Sequence, residues 1–248
     1  MTKTTAIILA AGKGTRFKSE KPKVLHPIFD KPMVHHVINA VQSANIADIC
    51  LVVGYKQDDV KAACQNYNLT YALQEEQLGT GHAVVCGLNQ IDTSQSDHCI
   101  VLAGDCPLIQ SSTIKSLLEL HQTTQASATV LTATLDDAGQ YGRIIRDSNN
   151  HITAIREAKD CSTEEKTITE FNSGIYCFNT HELTTCIQQI KTNNAQNEYY
   201  LTDVIEFFSN ENKIVSGLCV ENALEVSGAN TPDELTAMAA DATKLFNF

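Results

Sequence analysis

The sequence predicts an α/β fold: a Rossmann-like, mostly parallel mixed sheet with flanking helices and a smaller β-rich lobe. Short apolar, β-branched runs alternate with helical segments through the first half of the 248-residue chain, as strands and crossover helices do in a parallel sheet. The first of these runs ends in a loop that carries two glycines. Beyond residue 135 the predicted strands become shorter and more polar, which indicates the β-rich lobe.

The composition disfavours several classes of protein. Hydrophobic residues make up 43% of the chain and charged residues 19%, which is typical of globular proteins. The net charge of −11 disfavours nucleic acid and anionic membranes as partners. No segment reaches membrane-spanning length, no signal peptide follows Met1, and the nine dispersed cysteines include no C-x-x-C pair. We therefore expect a cytoplasmic protein with reduced cysteines, whose oligomeric state the sequence leaves open.

The first predicted strand, residues 5–9, runs into a loop that contains Gly12 and Gly14. Glycine lets backbone N–H groups approach an anion because no Cβ stands in the way. Five basic residues accompany this loop, interrupted only by one glutamate: Lys13, Arg16, Lys18, Lys21 and Lys23. The combination favours polyphosphate binding, although a glycine turn with a solvated basic surface would show the same local pattern.

Two better-known glycine loops do not match this segment. The dinucleotide fingerprint G-x-G-x-x-G requires a third glycine where the chain has Phe17. The P-loop requires Gly-Lys-Ser/Thr five residues after a first glycine, and no such sequence is present. A hydride-transferring Rossmann enzyme is therefore disfavoured.

Strands and helices continue to alternate after the basic loop. We predict a helix over residues 33–44, a strand over 48–54, a helix over 57–67 and a strand over 69–73. Gln74 ends the last of these strands, and a helix is predicted from about Thr80 to Leu88, with Gly79 and Gly81 at its N-terminus. Glycine frees the backbone at a helix N-terminus, where a ligand can approach, and the Gln74 amide offers the donor and acceptor that uracil requires. A glycine-bearing helix start without a ligand is the equal alternative.

A strand predicted from residue 98 runs directly into Gly104 and Asp105 and is stopped by Pro107. In open α/β sheets, ligands bind at the carboxyl ends of the strands. A carboxylate at this position suits Mg²⁺, which takes one or two protein carboxylates together with phosphate oxygens. A structural turn aspartate is the alternative.

We expect one domain over residues 1–248, with a soft boundary near Leu135. Residues 1–135 would form a nucleotide-binding part, and residues 136–248 a sugar-binding lobe with a C-terminal helix. Further predicted elements are a helix over 112–122, a helix opened by residues 193–203, and strands over 126–134, 142–146, 152–157 and 213–220.

A capping box predicts the start of the last helix. Thr231 is placed as the N-cap, Pro232 as the first helical residue and Glu234 three residues after the cap. Asn230 is thereby held just outside a fixed helix start, where it is either a ligand or a plain loop residue.

Several of these motifs together resemble the sugar-phosphate nucleotidyltransferase family, and within it the bacterial N-acetylglucosamine-1-phosphate uridylyltransferases. The similar segments cover nearly the whole chain and comprise residues 9–16, Lys-Pro-Lys-Val-Leu-His-Pro at 21–27, residues 31–38, Gln-x-x-Gln-Leu-Gly-Thr at 74–80, and Asn-Ala-Gln-x-Glu-Tyr-Tyr-Leu-Thr-Asp at 194–203. The resemblance implies the nucleotide-diphospho-sugar transferase type of fold.

The resemblance also implies a role for individual residues. Arg16 and Lys23 match the catalytic positions that neutralise phosphates, and Asp105 and Asn230 match the ligands of Mg²⁺. The implied nucleotide-binding residues are Leu9, Ala10, Ala11, Gly12, Gly14, Lys23, Gln74, Gly79, Thr80, Ala103, Gly104 and Asp105, and the implied sugar-binding residues are Gly142, Glu157, Asn172 and Asn230. Bacterial members often carry tyrosine at the position of Ala103, so a contact there is expected from the backbone.

By this resemblance the substrates are UTP and N-acetylglucosamine-1-phosphate, and the product is UDP-N-acetylglucosamine for cell-envelope polysaccharides, including peptidoglycan and lipopolysaccharide. Two other functions stay open: a related transferase that uses another sugar-1-phosphate such as glucose-1-phosphate, and a non-catalytic sensor of UTP or UDP-sugars. Bacterial bifunctional members add a left-handed β-helix that acetylates glucosamine-1-phosphate. The hexapeptide repeats of that domain do not occur in this sequence, so we expect the chain to lack its activity.

Overall fold

The computed structural model describes residues 2–246 and contains a nine-stranded mixed sheet with helices on both faces. In the first half, the elements in chain order are β1 Thr4–Ala10, β2 Pro27–Ile28, β3 Lys31–Pro32, α1 Met33–Ser43, β4 Asp48–Val53, α2 Gln57–Ala63, β5 Thr70–Leu73, α3 Thr80–Leu88, β6 His98–Ala103, α4 Ser111–Thr124 and β7 Ala128–Thr134. The second half contains β8 Arg143–Arg146, β9 Ile152–Arg156, β10 Glu170–Asn179, α5 Thr180–Cys186, α6 Asp203–Asn210, β11 Val215–Val220 and α7 Pro232–Phe246.

The strand order of the main sheet is β11-β7-β10-β6-β1-β4-β5, and the hairpin of β8 and β9 joins it through β10. β1 pairs in parallel with β4 and β6, β4 with β5, and β7 with β11, whereas β10 runs antiparallel to β6 and β7. The prediction of a mostly parallel mixed sheet is confirmed. Because β1, β4 and β6 are parallel and in register, their carboxyl ends lie at one edge of the sheet, where the glycine loop and Asp105 follow them.

Strand β1 is apolar from Ala6 to Ala10 because both of its faces are covered, as in other parallel sheets. Ala6 and Ile8 pack on one face, against residues of α1 and α4 that include Val34, Val37, Ile114 and Leu117. Ile7 packs on the other face, against residues of α3 and α6 that include Val84, Val204 and Phe208. Packing on both faces therefore fixes the position of β1 in the sheet, and with it the position of the loop that follows.

A third apolar cluster fastens α7 to the basic loop. It contains Phe17 from that loop, Ala229 from the segment before α7, and Met33, Leu108, Leu235, Met238 and Ala242. Packing of α7 against Phe17 brings the start of the last helix beside the loop after β1. Residues that are more than 200 positions apart in the chain thus reach one site.

The sequence predictions missed β10, and the predicted helix start at residues 193–203 is wrong. Asn172-Ser173-Gly174 interrupts the apolar pattern of β10 and indicates a turn, but the strand continues through a bulge between Asn172 and Ile175, where the Ser173 hydroxyl accepts the Ile175 N–H and donates to the Leu131 carbonyl. Before Asp203 the chain stays irregular, because the Asn194 side chain hydrogen-bonds the nearby backbone and competes with helix formation.

No helix in residues 2–246 is both long enough and apolar enough to cross a membrane. Strands on both sides of residue 135 belong to the same sheet, since β7 lies between β10 and β11. The division into a nucleotide-binding part and a sugar-binding lobe stays a prediction.

Candidate active site

Four side chains from three distant segments meet beyond the carboxyl ends of β1 and β6. The Lys23 ammonium donates to Asp105 Oδ2 and, over 2.7 Å, to Asn230 Oδ1. The Arg16 guanidinium donates to the same Asn230 oxygen over 2.8 Å. The side chains of Lys23 and Asp105 are only 15% and 19% exposed, so their charges interact in a partly desolvated environment. The predicted catalytic pair and the predicted metal ligands therefore form one cluster.

Gly14 determines how closely Lys23 approaches this cluster. Its φ of +65° lies in the left-handed region, and it precedes a short 3₁₀ turn over Thr15–Phe17. A Cβ built on Gly14 would lie 2.6 Å from the Cβ of Lys23. Residues 14 and 23 can therefore approach this closely only because glycine has no side chain. A Cβ on Gly12 would meet nothing within 4 Å, which leaves the face of the loop at that residue open to a ligand.

Asp105 is held from two sides. On one side, the Gly104 N–H donates to the Leu9 carbonyl over 2.9 Å and ties the end of β6 to the end of β1. On the other side, the Ala229 N–H donates to the Asp105 carbonyl over 3.3 Å, and a Cβ on Gly228 would lie 3.2 Å from Asp105 Oδ2. The carboxylate is therefore placed by the segment that leads to Asn230.

The start of α7 fixes Asn230. The Thr231 hydroxyl accepts the Glu234 N–H over 3.1 Å, which confirms the predicted N-cap. The Glu234 carboxylate in turn accepts the backbone N–H of Asn230 over 2.8 Å, one residue earlier than a standard capping box requires. The capping residues thus hold the backbone of the predicted ligand directly.

The oxygen atoms of Asp105 and Asn230 fit a magnesium ion. Both reach a single atom, Lys23 Nζ, so they converge on one point in space. A carboxylate and an amide oxygen are hard ligands of the kind that Mg²⁺ binds, and phosphate oxygens and waters complete its octahedron in nucleotide sites. Among residues 2–246 there is no cluster of three or more histidine, cysteine, aspartate or glutamate side chains arranged for a metal, so an all-protein cage is not formed there.

A first cleft of about 210 Å³ opens beside the glycine loop. It is lined by Leu9, Ala11, Gly12, Gln74, Gln77, Gly79, Thr80, Ala83 and Glu198. The buried Gln74 amide nitrogen donates to the Gly79 carbonyl over 3.0 Å, and Gly79 has a φ of +109°. A Cβ on Gly79 would lie 2.6 Å from the Tyr199 carbonyl, so Glu198 and Tyr199 pack closely against the start of α3 at this cleft.

A second cleft of about 210 Å³ adjoins the first, since Leu9 and Thr80 line both. It is lined by Leu9, Thr80, Ala103, Gln140, Tyr141, Gly142, Glu157, Asn172, Ser173, Gly174, Tyr176, Leu201 and Thr202. Gly142, Glu157 and Asn172, the predicted sugar-binding residues of the β-rich lobe, are therefore brought together. Ala103 faces this cleft rather than the first.

Hydrogen bonds between lining residues fix the polar side chains of the second cleft. The Thr202 hydroxyl donates to Glu157 Oε1 over 3.2 Å, while burial and the nearby carboxylates of Asp160 and Asp203 raise the pKa of Glu157. Asn172 donates to the Tyr176 hydroxyl over 2.7 Å and accepts the Gly174 N–H over 3.1 Å across the bulge of β10. Both side chains are thus oriented before any ligand arrives.

Residues 6–171 match the family model of the MobA-like NTP transferase domain. The chain belongs to this family. Of the sequence-predicted site residues, only Asn172 and Asn230 lie outside the matched segment of the NTP transferase domain. The structure places both of them against residues within that segment.

Curated relatives of this NTP transferase carry the name bifunctional protein GlmU. The protein from Clostridium tetani is 43% identical over 242 residues, which are 98% of this chain and 53% of the relative. The protein from Clostridium novyi is 44% identical over 231 residues, or 93% of this chain and 50% of the relative. The chain spans about half the length of the curated relatives it matches.

Solved structures share the fold of the NTP transferase. A protein from Bacillus anthracis, described as a glucose-1-phosphate thymidylyltransferase in complex with a sucrose, superimposes with a TM-score of 0.77 at 22% identity over 96% of this chain and 95% of that one. A UDP-glucose pyrophosphorylase complexed with UDP-glucose gives a TM-score of 0.75 at 19% identity over 99% of this chain and 100% of that one.

Two residues that were not assigned a role from the sequence also shape the site of this NTP transferase. Thr202, which holds Glu157, lies within a segment predicted as helix, and only its place in the motif at 194–203 could have identified it. Arg143 is 2% exposed and donates to the carbonyls of Gly139 and Tyr141, so it fixes the loop that lines the second cleft. Nothing in the local sequence indicates that this arginine is buried.

Proposed function

We propose that the chain transfers a uridylyl group from UTP to N-acetylglucosamine-1-phosphate, in a Mg²⁺-dependent reaction that gives UDP-N-acetylglucosamine and pyrophosphate. The observation that carries the proposal is the convergence of Arg16, Lys23, Asp105 and Asn230 beyond the carboxyl ends of β1 and β6. The 43% identity to proteins named GlmU supports it. The product would supply the synthesis of cell-envelope polysaccharides.

The reaction needs little acid–base chemistry from the protein. The phosphate of the sugar is already ionised at neutral pH, and one of its oxygens attacks the α-phosphorus of UTP. As that P–O bond forms, the bond from the α-phosphorus to the oxygen shared with the β-phosphate breaks, and pyrophosphate leaves with that electron pair. No side chain has to remove a proton, so alignment of the two phosphates and neutralisation of their charge account for the catalysis.

In this proposal Arg16 and Lys23 would neutralise that charge. In the structure both cations are satisfied by Asn230, and Lys23 also by Asp105, so incoming phosphates would exchange one oxygen partner for another. Asp105 and Asn230 would hold Mg²⁺, which supplies further charge neutralisation at the phosphate oxygens. GlmU-like nucleotidyltransferases generally use this ion.

The two clefts suit the two halves of the product. In the first cleft, the Gln74 amide and the backbone at Gly79 can hydrogen-bond a uracil ring. In the second, Glu157, Asn172 and the backbone at Gly142 offer the carboxylate, amide and peptide groups that bind sugar hydroxyls and an N-acetyl group. The boundary between the clefts, at Leu9 and Thr80, would then lie beside the nucleoside.

The test is pyrophosphate release with Mg²⁺ and UTP, measured with and without N-acetylglucosamine-1-phosphate. Release that requires both substrates and is lost on addition of EDTA and in Asp105→Ala is the expected result. Release with glucose-1-phosphate but not with N-acetylglucosamine-1-phosphate would refute the proposed sugar. UTP binding without any release, across a panel of sugar-1-phosphates, would refute catalysis and favour a sensor.

A further inference from the structure

Tyr141 connects the second cleft to the segment that carries Asn230. It lies in the loop between β7 and β8, and its ring packs on Phe171 with a centroid distance of 4.4 Å and an interplanar angle of 36°. Its hydroxyl accepts the backbone N–H of Gly228 over 3.2 Å. Tyr141 therefore lines the second cleft, and its hydroxyl also touches the loop before α7.

The contact at Gly228 acts on the oxygen atoms that would bind the cation. Gly228 packs directly on the Asp105 carboxylate, and the next residue donates its N–H to the Asp105 carbonyl. Asn230 follows immediately and presents its oxygen to Lys23. A shift of the backbone at Gly228 would thus change the spacing between Asp105 Oδ2 and Asn230 Oδ1.

Tyr141 is itself held firmly enough to transmit such a constraint. Its N–H donates to the Ala138 carbonyl over 2.9 Å, and its carbonyl accepts the buried Arg143 guanidinium. Burial raises the pKa of Tyr141, so its hydroxyl is protonated at neutral pH. The Tyr141 side chain is therefore fixed in position and uncharged.

We propose that Tyr141 is a positioning residue that sets the Asp105–Asn230 oxygen pair for the divalent cation and links that pair to the second cleft. The proposal rests on the proposed function, because it takes Asp105 and Asn230 as cation ligands. Loss of the tyrosine hydroxyl leaves the Gly228 N–H without this partner and frees the segment that aligns the two oxygens.

The test compares two tyrosines that line the same cleft. Tyr141→Phe keeps the ring on Phe171 and removes the hydroxyl at Gly228. Tyr176→Phe is the matched control, since it removes a hydroxyl that accepts the Asn172 amide N–H rather than the Gly228 N–H. Calorimetric titration with UDP-N-acetylglucosamine, in Mg²⁺ and in EDTA, gives two dissociation constants for each protein. Their ratio is the gain in affinity that depends on the cation.

We expect Tyr141→Phe to lower this ratio by up to about tenfold, the value of one hydrogen bond, with the affinity in EDTA unchanged. Tyr176→Phe should weaken binding equally in Mg²⁺ and in EDTA and leave the ratio within twofold of the wild type. Gly228→Ala, which crowds Asp105 from the other side of the same contact, should also lower the ratio. A general structural defect would instead change both dissociation constants, and circular dichroism spectra of all variants verify the fold.

Equal ratios in Tyr141→Phe, Tyr176→Phe and the wild type, together with a ratio near one in Asp105→Ala, would overturn the role of Tyr141 and leave the proposed function standing. A wild-type ratio near one, or a ratio that survives Asp105→Ala, would refute the cation site and both proposals with it.

Discussion

Replacement of Gly14 by alanine should reduce turnover far more than stability. Two separate costs follow from the structure. The φ of +65° costs a residue with a Cβ about 1–2 kcal/mol. The new Cβ would also lie 2.6 Å from the Cβ of Lys23, about 0.8 Å closer than ordinary van der Waals contact, so the backbone at Lys23 has to move. A displacement of about 1 Å at a catalytic group lowers the rate on the order of a hundredfold.

Gly139→Ala is the matched control for the first of these costs. Gly139 has a φ of +47°, but a Cβ built there meets nothing within 4 Å. The free energy of unfolding of Gly139→Ala should fall by about 1–2 kcal/mol, the cost of the left-handed conformation alone. Its turnover should equal that of the wild type. Urea denaturation gives the free energy of unfolding and steady-state pyrophosphate release gives the turnover. Wild-type turnover in Gly14→Ala would refute the assignment of Lys23 to the reaction.

Three further predictions follow from charged and titratable groups. Lys23→Ala should lower turnover at least about a hundredfold with little change in the urea midpoint, whereas unfolding with an unchanged rate would contradict its role. Burial, together with the His98 ring 5.0 Å away, lowers the pKa of His121 to about 4, so the unfolded chain takes up a proton below pH 6.5 that the folded chain does not. Stability should therefore fall by about 2 kcal/mol from pH 7.5 to pH 5, and His121→Leu should flatten that slope in urea titrations. Glu170→Gln breaks a two-point ion pair with Arg146 (2.8 Å at both contacts) and should cost about 1–2 kcal/mol in the same assay, with turnover unchanged.

The local patterns of the sequence predict the parts of the fold whose partners are also local. The apolar run of β1 indicates a strand buried on both faces, and Thr231 and Glu234 indicate the start of α7 three residues apart. The interior of β10 could not be predicted in this way, because Asn172, Ser173 and Gly174 belong to a bulge whose bonding partner is the carbonyl of Leu131, 42 positions away.

The contacts of the candidate site likewise differ in whether the sequence could predict them. The approach of Asp105 to the glycine loop follows from strand order, since residues after neighbouring parallel strands meet at one edge. The approach of Asn230 to Lys23 spans 207 positions and depends on the packing of α7 against Phe17. Only the resemblance to a family indicated the position of Asn230. The assignment of Asn230 as a metal ligand stays a prediction.

The place of β10 in the sheet has a consequence for the chain as it leaves the ribosome. β6 and β7 are consecutive strands, yet β10 lies between them, so a nascent chain of 150 residues has unpaired strand edges on both. Such edges are the surfaces through which incomplete chains aggregate. The edges of β6 and β7 that face each other are covered only when residues 170–179 emerge, and the same residues form one wall of the second cleft. Pairing of β10 with these two edges and formation of that wall of the cleft are thus a single event in synthesis.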